Sequence, residues 1–580
     1  MEHPSNPQVA LALEEMAEQL EHGGSRYPAR AYRSAASTIR RLPMSIGALA
    51  MAGRATDVRG IGSSIQSRIA EFCETGTIEE LERLRQQAPP QMLLLKRLPG
   101  VNRRAAQAIW DEVRPRSFDD LEEAAEDGRL LAVHGVGPAT VDAVRLGLAT
   151  LEEEPEEMAE PLLRSHARRA ARDVEVLLEA VVPGVRRTHV VGQLARGFEL
   201  VDVLDVVVVA DDSAAATAAV RDALDHRGWH TSSEDPDVVE ECLTFALQAA
   251  TGAGVRIHVT DPEHEAHSVL HATGPPEHAD AVARRAGVSS IRSLAVYEQP
   301  DAAIYAAAGL EWIPPELRDH AGVLDAAARG ELPTLVTVED LRGEMHCHSH
   351  WSDGRASIEE MALAARERGY GHLAITDHSW SLRIVNGLSV EDLVDQWREI
   401  EGVRTRLGDD FTLLHGIELE ILPDGSLDYP DDVLERLDWV VASIHSRQRQ
   451  PAEEIDRRIE RAIRNPLVDC IGHPTSRLLL RRPSTALDTD RLIELAAETG
   501  TSLEINASPD RLDLDAATAA RAAEAGVLLC VNSDAHGPGT LGLVEHGIAI
   551  ARRAGLRPDD VVNARDWPWI REQQPRWRAG

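Results

Sequence analysis

A chain of 580 residues is too long for one hydrophobic core, and at roughly 150 residues per domain it predicts about three to five domains. Its formal charge of −35 argues against a protein that coats nucleic acid non-specifically, and no apolar run reaches the roughly 20 residues of a membrane helix. The acidic, amphipathic N-terminus is unlike a signal peptide, and five scattered cysteines without a CxxC pair are typical of a reducing compartment. We therefore expect a cytoplasmic protein with no membrane partner.

The first 150 residues have the apolar spacing of helices. Residues 9–23 and 28–42 predict two amphipathic helices, and segments 58–72, 95–112 and 131–148 each combine an apolar lead, a glycine turn and a helix. Such a turn exposes backbone N–H groups at the start of a helix, where a DNA phosphate can bind without net positive charge. One turn alone is weak, because any helical hairpin uses glycine. Three turns beside an acid-free, arginine-rich stretch (22–56) favour DNA binding, with these candidate residues: Gly60, Gly62, Gly100, Gly135 and Gly137.

An α+β region follows an acidic segment at about 152–160. We predict a helix at 163–181, strands at 188–194 and 200–210, a helix at 214–224, and further strands at 243–249 and 254–260. Residues 276–330 are predicted to be helical and mixed.

Beyond residue 340, seven apolar, strand-like segments alternate with helical ones, and this alternation predicts a distorted (β/α)7 barrel. Most of these strands end in residues that bind metals, and the carboxyl ends of barrel strands meet on one face. His-x-His and Asp-x-His spacings place both side chains of a pair on the same side of a strand. The candidate metal ligands are His346, His348, Asp353, His378, Glu418, His445, His473, Asp534 and His536.

Six histidines and three carboxylates exceed the need of one ion and suit two or three divalent ions; zinc, manganese and iron all fit. Such ions lower the pKa of a bound water and neutralise phosphate oxygens. The opposing interpretation, histidines with no common purpose, is poor for nine residues at the ends of barrel strands. We assign catalytic roles to Asp353 and His378 and phosphate binding to Arg477 and Arg511. Asp377 and Cys347 are interpreted as supporting residues rather than ligands.

The same motifs carry a family resemblance. HCHSHWSDG, AITDHS, GIELEILPDGSLDYP, VVASIHS, IGHPTSR, EINASPDRLDL and NSDAHG resemble the PHP (polymerase and histidinol phosphatase) domain, most closely the copy attached to bacterial family X DNA polymerases. The resemblance implies a trinuclear site held by the nine residues and a manganese-dependent 3′–5′ exonuclease. It also implies five domains: an N-terminal domain (1–88), a fingers-like domain (89–155), a nucleotidyltransferase palm (156–265), a thumb-like domain (266–335) and the PHP domain (336–580).

Against that family, the polymerase centre is degenerate. The family has Asp-x-Asp on one strand and a third aspartate on a later strand, whereas the matching positions here are Val203, Asp205 and His258. Asp202 lies three residues from Asp205 and would face the opposite side of a flat strand. With two of three carboxylates missing, we predict an inactive polymerase centre. Arg68 stands where some relatives have a Schiff-base lysine, so we predict no lyase activity of that type.

Four functions remain open. The leading hypothesis is a DNA end-processing phosphoesterase acting on gapped, nicked or 3′-ended DNA as a monomer. A small-molecule phosphatase of the histidinol-phosphate type would use the same nine residues but has no need of a DNA-binding region. A non-catalytic scaffold is disfavoured by the complete ligand set, and a gap-filling polymerase is disfavoured by the missing aspartates.

Overall fold

The structure, a computed structural model, describes residues 161–225, 231–232, 242–246, 254–296 and 300–578, together with shorter stretches between residues 9 and 145. The chain divides into two compact units. One comprises residues 1–160, 169–190 and 202–268, and the other comprises residues 161–168, 191–201 and 269–580. No helix among the described residues is long and apolar enough to cross a membrane.

Helices form the described N-terminal part of the first unit: Arg26–Arg40, Ile46–Met51, Ser63–Thr75, Arg103–Val113 and Arg129–Ala132. Apolar side chains at helical spacing, among them Ile39, Ile65 and Ile69, are buried in one core. The predicted glycine turns at Gly60 and Gly135 are confirmed, since both glycines have positive φ (96° and 89°) and helical residues follow each turn.

The first unit also contains a five-stranded sheet with the order β2-β4-β7-β6-β5. Its strands are β2 (Val185–Val191), β4 (Val203–Ala210), β5 (Thr231–Ser232), β6 (Cys242–Ala246) and β7 (Gly254–Thr260). The valine-rich run of β4 is buried from residue 204 to 210, as expected for a central strand covered on both faces. β4 and β7 are parallel, and the helix Ser213–Asp225 packs against both. The α+β prediction is confirmed, with strand ends shifted by a few residues.

Seven parallel strands form the core of the second unit in the order β14-β13-β12-β11-β10-β9-β8. They are β8 (Gly343–Cys347), β9 (His372–Ile375), β10 (Thr412–Glu420), β11 (Trp439–Ser443), β12 (Cys470–Ile471), β13 (Ser502–Asn506) and β14 (Leu529–Asn532). The first and last strands also meet: Cys347 forms a parallel bridge with Ala535, and the amide of His348 donates to the Ala535 carbonyl at 2.8 Å. The predicted seven-stranded barrel is therefore confirmed, in a nearly closed form.

Helices follow the barrel strands: Ile358–Glu367, Val390–Leu407, Asp431–Leu434, Ala452–Ile463, Thr489–Thr499, Ala516–Glu524 and Val544–Arg553. Ser357 and Ser389 begin the first two helices, each with an acid three residues later that closes a capping box. Two short helices, Trp567–Gln573 and Pro575–Arg578, end the chain.

Residues before the barrel complete the second unit. β1 (Leu162–Leu163) pairs antiparallel with β3 (Leu200–Val201). The helix Arg164–Val181 begins in this unit and the helix Glu265–Thr273 ends in it, and the further helices of this unit are Gly192–Ala195, Pro276–Arg285, Ala302–Ala307 and Val323–Arg329. Within this unit His320 bonds the Arg553 carbonyl at 2.7 Å, and Arg552 donates to Glu316 at 2.7 Å. The predicted helical character of residues 276–330 is confirmed.

The last barrel strand ends before the candidate ligands Asp534 and His536. β14 ends at Asn532, and Asp534 has a left-handed backbone with φ of 52°. The prediction that strand alternation aligns Asp534 with His536 is therefore wrong. A loop brings them together instead, with His536 Nδ1 3.8 Å from Asp534 Oδ1.

Candidate metal centre

The structure brings the nine predicted side chains together at the carboxyl ends of the barrel strands. They fall into overlapping groups in which nitrogen and oxygen atoms lie within 4.8 Å of one another. Three such groups are found among the described residues, and each could hold an ion: His346, His348 and Asp534; His378, Glu418 and His445; and His348, Asp353, His378 and His536. His473 completes the set, because its Nε2 lies 2.8 Å from Glu418 Oε1.

Glu418 lies at the centre of the cluster. Its carboxylate is 2.8 Å from His378 Nδ1, 3.2 Å from His445 Nε2 and 3.4 Å from His346 Nε2, and the residue is 1% exposed. Burial opposes its ionisation, but the surrounding histidines hold the pKa of Glu418 well below its usual range. A buried carboxylate shared by several imidazoles is a suitable bridging ligand for neighbouring cations.

Asp353 and His536 form the solvent-facing side of the cluster. Their side chains are 29% and 36% exposed, and His536 Nε2 lies 3.3 Å from Asp353 Oδ1. Although burial lowers it, the nearby carboxylates of Asp353 and Asp534 raise the pKa of His536 to about 9. This side of the site is where a phosphate can enter.

The donor set fits divalent cations. His346 Nε2 and His348 Nδ1 are buried and have no hydrogen-bond partner among the described residues, although both face carboxylates. A buried polar atom without a partner is costly unless something else binds it. Imidazole and carboxylate ligands suit zinc, manganese and iron alike.

Other acids hold the histidines in place. Glu504 bonds His346 Nδ1 at 2.7 Å and accepts from the amide of His473 at 2.7 Å, while Glu420 bonds His445 Nδ1 at 3.0 Å. Such partners fix the orientation and tautomer of a metal-binding imidazole. Sequence reasoning missed both acids, although Glu420 ends the strand that carries Glu418, two residues further on, and Glu504 lies in the middle of the buried strand β13.

Asp377 and Cys347 differ in what they support. Asp377 accepts from the Ser349 amide (2.8 Å) and from Gln396 (2.6 Å), so it braces the turn that leads to Asp353. Cys347 donates from Sγ to the Ala374 carbonyl at 3.3 Å and is fully buried.

Two of the nine residues have unusual backbones. His473 (φ 27°) and Asp534 (φ 52°) adopt left-handed conformations that favour glycine. Each costs of order 1–3 kcal/mol, and such strain is typically found at functional sites. Gly472 allows the close approach before His473, because a Cβ there would lie 2.4 Å from Ser443 Oγ.

The two arginines proposed for phosphate binding are placed differently. Arg477 donates to the Arg511 carbonyl (2.9 Å), to the Leu512 carbonyl and to Glu199 (2.7 Å). Its guanidinium therefore supports the loop after β13 that carries Arg511. Nη1 of Arg511 is shielded from solvent and has no hydrogen-bond partner among the described residues.

In the first unit, the carboxylate of Asp205 is paired with basic side chains. Asp205 Oδ1 lies 3.1 Å from Arg256 Nη1 and 3.3 Å from His258 Nε2, both on the neighbouring strand β7. Asp205 and His258 are each 6% exposed, whereas Asp202 is exposed and Val203 is half-buried. Asp202 lies just before β4 and Asp205 lies within it, so strand alternation does not decide how the two side chains are oriented relative to each other.

The glycines of the helical turns are accessible. A Cβ at Gly62, Gly135 or Gly137 would meet nothing within 4 Å, and one at Gly60 would meet only Thr38 Oγ1 at 3.8 Å. The helix Ser63–Thr75 begins directly after Gly62. Open space therefore lies beside the Cα atom of each of these glycines, while Gly100 lies outside the described residues.

Comparison with known proteins finds family models that match three segments of the chain. Family models match residues 4–78 (helix-hairpin-helix domain), 92–150 (SAM-like helix-hairpin-helix tandem) and 344–508 (PHP domain). The chain is similar to a protein of Bacillus subtilis (strain 168) named DNA polymerase/3′-5′ exonuclease PolX, with 32% identity over 569 residues, 96% of this chain and 97% of the relative. A probable phosphatase of Thermoanaerobacter sp. (strain X514) is 31% identical over 238 residues, 37% of this chain and 88% of the relative. A probable phosphatase of Shewanella oneidensis is 28% identical over 229 residues, 37% of this chain and 85% of the relative. The chain therefore belongs to the bacterial family X DNA polymerases that carry a C-terminal PHP domain.

Proposed function

We propose that the barrel hydrolyses phosphodiesters at the 3′ ends of DNA. The observation that carries this proposal is the set of three overlapping groups of ligand atoms formed by eight of the nine side chains, with His473 beside them at 2.8 Å from Glu418. Manganese, zinc or iron bound there would supply a water of lowered pKa and neutralise charge on the phosphate. The nine residues hold those ions, and the half-exposed pair Asp353 and His536 faces the entering phosphate.

Within this proposal the catalytic residues are Asp353 and His378, which belong to the same group of ligand atoms. Nε2 of His378 lies 3.6 Å from Oδ1 of Asp353. Phosphate binding is assigned to Arg511 rather than to Arg477, because the guanidinium of Arg477 is already bonded to two backbone carbonyls and to Glu199. Arg477 positions the loop that carries Arg511, since it donates to the Arg511 carbonyl.

DNA as substrate is supported by the rest of the chain. Helix-hairpin-helix models match two N-terminal segments, and the turn glycines Gly60, Gly62 and Gly135 are exposed. The Bacillus subtilis relative is named as both a polymerase and a 3′-5′ exonuclease. Gapped, nicked and 3′-ended DNA are therefore the substrates to test.

We propose further that the polymerase centre is inactive. Nucleotidyl transfer uses clustered carboxylates to bind two magnesium ions. Here the one carboxylate at the three matching positions, Asp205, is paired with Arg256 and His258. This pairing offsets the negative charge that would otherwise attract the magnesium ions. Val203 and His258 supply no carboxylate at the other two positions.

A second candidate is a phosphatase that acts on small phosphate monoesters. It is supported by the relatives named probable phosphatase, which align with 37% of this chain. The DNA-binding segments favour the first proposal over this one.

The test is incubation of the purified protein with 3′-end-labelled gapped DNA across manganese, zinc and magnesium. Release of labelled mononucleotide that is lost in Asp534→Ala supports the exonuclease. Turnover of histidinol phosphate without any attack on DNA would replace it with the phosphatase.

A further inference from the structure

The loop that follows β9 begins at a proposed metal ligand and returns to it. The amide of Leu388 donates to the His378 carbonyl at 2.8 Å, and the amide of Ser379 donates to the Glu418 carbonyl at 3.0 Å. Asn386 Nδ2 donates to the Ser352 carbonyl at 3.3 Å, next to Asp353. The base of this loop, residues 379–388, is therefore fixed to the metal centre.

The tip of the loop presents apolar and basic groups to solvent. Trp380 is 41% exposed, and the guanidinium carbon of Arg383 lies 3.1 Å from the centre of an indole ring of Trp380. Ile384 is 93% exposed within the short 3-10 helix Arg383–Val385. Hydrolysis of a phosphate by bound ions needs none of these three side chains.

We propose that Trp380, oriented by Arg383, stacks on a nucleobase adjacent to the scissile phosphate and so selects polynucleotides over small phosphate esters. Every base has a π-face, and stacking on an aromatic side chain tolerates any sequence. Arg383 holds the indole by a cation–π contact and adds positive charge for a backbone phosphate. Trp380 stands two residues from His378, and the amide of Ser379 between them donates to the Glu418 carbonyl, which ties this part of the loop to the cluster. This inference rests on the proposed exonuclease function and specifies its substrate.

The stacking contact can be isolated by changing the protein and the substrate separately and together, as in a double-mutant cycle. The substrates are a 5′-labelled oligothymidylate and the same strand with abasic sugars at its two 3′-terminal nucleotides, both with manganese. Trp380→Ala should raise KM for the normal strand about tenfold, because the variant has no aromatic face on which the terminal base can stack. The abasic strand should be cleaved equally by wild type and variant, since it has no terminal base to stack.

Three controls separate this contact from damage to the site. Trp380→Phe keeps an aromatic face and should stay near wild type. Trp397→Ala removes another exposed tryptophan (47%), on the helix Val390–Leu407, and should change nothing. Hydrolysis of bis(p-nitrophenyl) phosphate should be unchanged in Trp380→Ala.

The outcomes are distinct. Equal losses on both strands, a loss on bis(p-nitrophenyl) phosphate, or no effect of Trp380→Ala would overturn the stacking proposal alone. Wild-type protein that cleaves no oligonucleotide would overturn the exonuclease function and the stacking proposal with it.

Discussion

Replacing Glu504 by glutamine tests how far the metal centre depends on its supporting acids. Each oxygen of Glu504 accepts two hydrogen bonds: Oε1 from His346 Nδ1 (2.7 Å) and Asn532 Nδ2 (2.8 Å), and Oε2 from the His473 amide (2.7 Å) and Asn506 Nδ2 (3.2 Å). Burial opposes its ionisation, yet His346 and His473 keep the pKa of Glu504 below its usual value. The carboxylate is therefore charged and fully occupied.

Glutamine keeps the shape but turns one acceptor into a donor. Whichever way the amide lies, its NH2 group faces two donors, and two hydrogen bonds are lost at about 1–3 kcal/mol for each donor left unsatisfied. Loss of a supporting partner also weakens metal binding about 10- to 100-fold, which equals about 1.4–2.8 kcal/mol. Glu504→Gln should therefore bind manganese at least about tenfold more weakly and unfold at a lower temperature.

The measurement is manganese bound per chain at buffered free-metal concentrations, followed by exonuclease rate at saturating metal. Glu498→Gln is the matched control, because that side chain is 54% exposed and lies on the helix Thr489–Thr499. Metal affinity in Glu504→Gln equal to that of wild type and of the control would refute the assigned supporting role.

Further outcomes follow from other contacts. Purified protein should not extend a primer on gapped DNA with magnesium or manganese, because Asp205 is paired with Arg256; robust extension would show that the centre works. Borohydride should not trap the protein on a 5′-abasic end, since the hydrogen bond to Glu71 raises the pKa of Arg68 above its already high value; a trapped adduct would disprove this. Burial raises the pKa of Asp469 to about 7 despite Arg576 at 2.9 Å, so the native state keeps a proton that the unfolded chain releases above about pH 4. Wild type should therefore lose stability relative to Asp469→Asn as pH rises from about 4 to about 7, and a flat difference in unfolding temperature would contradict this.

The barrel and the grouping of the nine candidate ligands could be predicted because most of the strands combine a buried apolar run with a chemically distinctive end. His346, His378 and Glu418 each come at or just after such a run, and barrel geometry then brings distant positions together. That the polymerase centre is degenerate stays a prediction, which rests on Val203 and His258 standing where the family has carboxylates.

Side-chain partners were harder to predict. Glu504 and Glu420 look like ordinary acids in the sequence, and only the structure shows that they hold His346 and His445. Arg477 was predictable as a basic residue near His473, but its contacts with backbone carbonyls depend on how the loop closes. Loop conformation likewise decides that Asp534 joins the cluster through a left-handed backbone.

The most direct test of the central claim is anomalous diffraction from crystals of the full chain grown with manganese. We expect two or three peaks at the carboxyl ends of the barrel strands, contacted by the imidazoles and carboxylates of the nine residues around Glu418. Data from fully loaded crystals with no anomalous peak among those side chains would contradict the account.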